Sequence, residues 1–224
     1  MKTKAIISKF KMLLLLVAAS FTFSCAGLFD AFMEGRLAED GTVVDPIDSD
    51  IEVPNFLVGG STGLGWDSND GNSATTLCFG AEFLYNIFED DRNGAGYIGG
   101  FAGYHNWSAD DSKENILRLG PKFVYFDPIT PRGEVDLTYG IKGFYETGSR
   151  EIFSSKDDIT GWGVTSFVGA NYNINERLSI GLELPFFGWS ERTFKFDGGE
   201  VKQDNTSLAI NKNNPAMAYI RFGF

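Results

Sequence analysis

The chain has 224 residues, 43% hydrophobic, 15% aromatic and 22% charged, with a formal net charge of -11. An acidic chain without a basic face excludes a nucleic-acid partner, and its apolar fraction excludes a disordered one. Two Cys and one His cannot build a disulfide scaffold or a zinc site, so neither a metal nor a cofactor is expected. Abundant Gly and Phe (27 and 21 residues) favour β-structure.

Residues 1–25 read as a signal segment. Lys2, Lys4, Lys9 and Lys11 precede an apolar core over Met12 to Ala19, which is too short to span a bilayer as a helix. Thr22-Phe23-Ser24-Cys25 is a loose lipobox that would leave Cys25 lipidated, whereas cleavage after Ala26 would remove it. Residues 26–54 form an acidic periplasmic linker. Its Leu28, Phe29, Phe32, Met33 and Leu37 fall at helical spacing, and an acidic, Pro-interrupted stretch follows from Glu39 to Glu52.

From residue 55 to 224 the period becomes two. Phe56 to Trp66 alternates apolar with small residues, and Leu77, Phe79, Ala81, Phe83, Tyr85 and Ile87 form the apolar face of a second strand. Tyr97 to Trp107 is a third, with Gly on both faces and hence no fixed phase. Further apolar faces run from Leu117 to Tyr125, Val135 to Tyr145, Trp162 to Ile174, Leu178 to Phe186 and Ala216 to Phe224, making eight strands. The links after strands two, four and six are compact turns. Those after strands one, three, five and seven are polar and longer, the longest running from Ser190 to Asn214. Short turns on one rim and long loops on the other are the layout of an outer-membrane barrel.

The sense of the alternation separates two barrel types. A soluble lipocalin-like barrel hides its apolar face, while a membrane barrel turns it to lipid. Opposite the apolar face stand Glu82, Arg118, Lys122, Asp136, Lys142, Glu183 and Arg221. Three acids against four bases suit an interior charge network. Trp66, Trp107, Trp162 and Trp189 fall near the outer strand ends, as an aromatic girdle would. The expected fold is all-β: an eight-stranded antiparallel up-and-down transmembrane β-barrel.

The last strand, Ala216 to Phe224, resembles the carboxy-terminal recognition strand of outer-membrane barrels, with Tyr219, Phe222 and Phe224 as its assembly signal. Phe79 to Ile87 and Asn171 to Gly181 are similar to strand and turn phrases of the small barrels related to outer membrane protein A. The resemblance covers residues 55–224 and does not extend to a peptidoglycan-binding domain. It implies a bacterial outer-membrane location, with membrane lipids, lipopolysaccharide, the barrel assembly machinery and an external protein or ligand as partners. A structural or surface-interaction role follows, with no catalytic residues. A narrow, porin-like pore, an outer-leaflet lipid-modifying enzyme and a soluble binding barrel are the alternatives.

Two motifs could carry other chemistry. Gly94 to Gly99 matches GxGxxG but lacks the strand-to-helix setting that nucleotide binding needs. His105, Ser108, Asp110, Asp111 and Glu114 could be drawn as a hydrolytic group, though their spacing fits no known arrangement. Cys78 falls on the small-residue face, as an inert interior thiol.

Overall fold

The computed structural model describes residues 52–224 except 70–71, 91–93, 110–111, 131–132, 154, 209 and 212. The signal segment, Cys25 and nearly all of the 26–54 linker lie outside the described residues. Nine strands follow one another: β1 Phe56–Asn69, β2 Asn72–Glu89, β3 Ala95–Ala109, β4 Ser112–Pro128, β5 Val135–Ile152, β6 Ser155–Asn175, β7 Leu178–Phe196, β8 Gly199–Leu208 and β9 Ala216–Gly223. Each of β1 to β7 pairs antiparallel with the next, and β9 lies between β7 and β1, so eight strands close a ring.

The ninth strand corrects the sequence reading. The stretch from Ser190 to Asn214 is mostly not a loop: its first part extends β7, and β8 folds back on β7 from Phe196↔Gly199 to Phe187↔Leu208. β9 then pairs with the lower part of β7, from Leu178↔Phe222 to Glu183↔Met217. The eighth wall of the barrel is thus built from two strands on one edge of β7. The other edge of β8 is unpaired among the described residues. Exposed Glu200, Lys202 and Asp204 give that edge the alternating charge that discourages pairing with another chain.

The other long loops are also strand. The paired ladders reach Asn69↔Asn72, Ala109↔Ser112 and Ile152↔Ser155, leaving two residues in each turn. The outward face of these segments is polar, as at Ser108, Ser149 and Asp158, which removes the alternation without removing the ladder. The opposite rim holds both ends of the barrel and the turns after β2, β4 and β6.

One irregularity decides what faces the lumen. Ser166 pairs with Phe187 and Phe167 with Pro185, so Phe186 is an extra residue in β7. Such a bulge shifts the side-chain phase by one, and Pro, with no N–H to donate, suits it. Below it Ser179, Glu183 and Pro185 point inward; above it Ser190, Arg192 and Phe194 do.

Candidate functional site

The outward face of the wall is apolar over a band and then changes abruptly. Leu77 to Ile87 on β2, Leu117 to Tyr125 on β4 and Val135 to Tyr145 on β5 present apolar or aromatic side chains at every second position apart from Gly and Pro. The next outward positions toward the upper rim are Thr75, Asn106, Asn115, Thr147, Thr160 and Glu191 on six consecutive strands. At that border the Tyr104 hydroxyl and the Asn106 amide both donate to Asn115 Oδ1 at 2.7 Å. The band is 9 to 11 residues high on these strands, which is what a tilted strand needs to cross a bilayer. Outside water this band is costless; in water it would leave Phe79 and Phe83, each more than half exposed, against solvent all round the molecule.

The lumen is the reverse, and its charges form two clusters. In the lower one Lys122 Nζ donates to Glu82 Oε2 (2.7 Å) and Glu183 Oε1 (2.6 Å), while Arg221 donates through Nε to Glu82 Oε1 and through Nη2 to Glu183 Oε1, both at 2.6 Å. Two acids and two bases leave it neutral, and all four residues are buried. The Tyr219 ring lies 4.3 Å from Lys122 Nζ and 4.5 Å from the Arg221 guanidinium. In the upper cluster Glu146 accepts from Arg118 Nε at 2.8 Å and from Arg192 Nε at 2.5 Å, and Arg192 Nη1 stands 3.5 Å from Glu114. Again two bases face two acids, and Phe144 lies 4.5 Å beneath the Arg118 guanidinium. Buried ions are tolerable only when paired and hydrogen-bonded in this way.

Charged interior and apolar exterior together decide the class. The chain is a transmembrane β-barrel. No protein-family model and no curated protein sequence matches it. Among solved structures the barrel is similar to neisserial surface protein A (13% identity, TM-score 0.45, covering 75% of this chain and 96% of that one). It is also similar to the translocator domain of the autotransporter NalP from Neisseria meningitidis (8% identity, TM-score 0.48, 89% and 96%). A third is a major outer membrane protein from Thermus thermophilus (14% identity, TM-score 0.38, 75% and 99%).

Of the seven charges expected inside the barrel, Glu82, Lys122, Glu183 and Arg221 meet in the lower cluster, and Arg118 belongs to the upper one. Asp136 joins neither: it accepts from the Asn171 and Asn173 amides at 3.1 and 3.0 Å near the lower rim. Lys142 lies between the clusters, its Nζ 5.7 Å from the rings of Phe101 and Phe167. The sequence reading missed Glu146, Arg192 and Glu114. Glu146 was legible as the neighbour of outward-facing Tyr145, but Arg192 enters the lumen only because the bulge changes the phase of β7.

The segment joining β8 to β9 supplies the rest of the lumen's filling. Arg118 Nη1 donates to the Asn213 carbonyl at 2.6 Å, and the Thr165 hydroxyl to Asn214 Oδ1 at 2.9 Å. Asn214 is itself buried, with its amide donating to Ser207. A segment read as the distal part of an external loop thus touches the middle of the barrel.

The aromatic and terminal residues divide by face. Trp162 and Trp189 pack edge to face outside the wall, with centroids 4.6 Å apart. Trp107 is half-buried, and the Trp66 side chain lies outside the described residues. Tyrosines missed as girdle residues, Tyr85, Tyr139 and Tyr172, face outward toward the lower border of the band. Phe222 and Phe224 are outward and exposed, while Tyr219 faces the lumen, so the terminal aromatic set is split. The drawn hydrolytic group does not assemble: His105 and Glu114 point inward, Ser108 outward, and Asp110 and Asp111 lie outside the described residues. Gly94 to Gly99 enters β3 directly and has no helix after it.

Proposed function

We propose that this outer-membrane barrel has a structural or surface-interaction role, is not an enzyme, and carries that role on the hairpins that rise above its lipid-facing band. The observation that carries the reading is the filled lumen. Both charge clusters and the Asn213–Asn214 segment lie across the path a solute would take, and an eight-stranded barrel is only wide enough for its own side chains. Strands of 17 to 21 residues in β4 to β7 exceed the 9 to 11 that cross a bilayer. The surplus would stand in water above the band, where an extracellular partner could meet it. Membrane lipids and lipopolysaccharide would surround the band, and the assembly machinery would read the terminal strand.

A narrow pore is the second reading, favoured by a cavity of about 370 Å³ at the upper mouth, lined by Glu114, Arg150, Arg192, Gln203 and Asn211 among others. Conductance of the purified protein in planar bilayers separates the two. The plugged barrel is expected to pass no steady current, and reproducible open-channel steps would establish the pore. Release of acyl chains from lipid A by the purified protein would overturn the non-enzymatic reading.

A further inference from the structure

One lumen-facing cation belongs to neither ion cluster. Glu82 and Glu183 answer Lys122 and Arg221, while Glu114 and Glu146 answer Arg118 and Arg192. Lys142 is left over. Among the described residues its Nζ meets no ion-pair or hydrogen-bond partner, only the rings of Phe101 and Phe167, each centred 5.7 Å away. Directly across the strand pair stands Lys122, and like charges so placed repel. Of the other buried acids, Asp157 pairs with Arg150 at 2.7 Å. Asp136 lies six residues down β5 from Lys142, about 20 Å along an extended strand, and is too far to offset it.

Beside this ammonium is a cavity of about 20 Å³, lined by Lys142, Arg118, His105, Thr165, Asn213 and Asn214 together with apolar residues. No carboxylate lines it. We propose that this cavity binds one chloride ion. Two cationic side chains give the lining a positive sign, and inside a barrel that sign is costly until an anion offsets it. Arg118 is already bound through Nε to Glu146 and through Nη1 to the Asn213 carbonyl, so Lys142 is the cation that gains most. The Cys78 thiol donates to His105 Nδ1 at 3.2 Å, which leaves the ring proton on Nε2 as one more donor and adds no negative charge.

Size and charge fix the class of ion. A space of about 20 Å³ holds one water-sized occupant, which admits a monatomic anion and excludes phosphate or sulfate. One unmatched positive charge is offset by one negative charge, so the ion is monovalent. Asn213 lines both this cavity and the one of about 370 Å³ at the upper mouth. The way in from that side therefore runs past the segment joining β8 to β9.

The test is urea unfolding of the full chain in detergent micelles, in sodium chloride against sodium gluconate at equal ionic strength, gluconate being too large for the cavity. Each tenfold rise in chloride above its dissociation constant should raise the wild-type midpoint by about 0.7 M. Lys142→Met should remove that dependence. Lys195→Met, at an exposed position on β7, should keep it. Crystals grown from sodium bromide should show an anomalous peak beside Lys142 Nζ. Equal wild-type midpoints in chloride and gluconate would mean that water fills the cavity, and would overturn the proposal. A chloride dependence that survives Lys142→Met, or bromide found only elsewhere, would overturn it as well. Should Lys142→Met fail to fold, the position of the bromide decides alone.

Discussion

Replacing Glu82 by Ala tests the lower cluster at its most connected point. Glu82 presents one oxygen to Lys122 and the other to Arg221, at 2.7 and 2.6 Å, and every side chain involved is no more than 2% exposed. Its loss turns a neutral cluster of two acids and two bases into one with a single excess positive charge, held by Glu183 alone. Breaking one member of a buried pair costs about 3 to 5 kcal/mol, against about 0 to 1 for a pair in water. Glu183 Oε1 still receives both cations, so the lower end, about 3 kcal/mol, is expected. With a urea dependence of about 2 kcal/mol/M, the unfolding midpoint should fall by about 1.5 M. Tryptophan fluorescence in micelles reads that midpoint. Adding Lys122→Ala restores neutrality through the Arg221–Glu183 pair and should recover part of the loss, as coupled neighbours do. A Glu82→Ala midpoint within experimental error of wild type would mean that these charges are solvated, and the inside-out polarity would fall with them.

Three further perturbations address the other faces of the barrel. Phe83→Arg places a charge within the outward band and should cost about 2 to 4 kcal/mol in bilayers, measured by urea unfolding from vesicles; an unchanged midpoint would remove lipid from that face. Deleting Phe224, which is exposed at the end of the chain, should lower outer-membrane yield while leaving the melting of the assembled fraction nearly unchanged, as quantitative fractionation and heat-modified gel mobility would record. Cysteines introduced at exposed Asp204, in β8, and exposed Glu176, in the β6–β7 turn, should react from opposite sides of the membrane; labelling of Glu176→Cys alone in intact cells would invert the topology.

Eight of the nine strands were legible because lipid on one side and a packed lumen on the other impose period two. β8 was not. Its sequence, from Gly199 to Leu208, is polar almost throughout, because it is exposed along most of its length and is held mainly by the backbone ladder to β7. The same reason turned the polar tops of the other hairpins into apparent loops. His105 could be drawn beside Ser108 because glycines on both faces of β3 left its phase undetermined, and only the registers with β2 and β4 turn it inward. The adjacent Phe186 and Phe187 were the visible trace of the bulge, since two outward aromatics in succession break the period. Arg192 follows from that break, but its partner Glu146, 46 positions away, cannot be paired with it until the strand order is known.

Ring closure imposes an order on folding. Seven of the eight wall strands can be laid down as successive hairpins between chain neighbours, whereas the seam from Leu57↔Gly223 to Leu64↔Ala216 joins the two ends of the barrel sequence. Pairings of such long separation are the slow ones, because loop entropy is lost before the contacts form. Arg221 arrives on β9, 139 positions after its partner Glu82. Until the seam zips, Glu82, Lys122 and Glu183 stand one cation short, so an open sheet carries an excess negative charge that only the final strand neutralises. The residues of β9 therefore act as a latch, and a chain halted before β9 would hold a half-built, repelling interior rather than a smaller barrel.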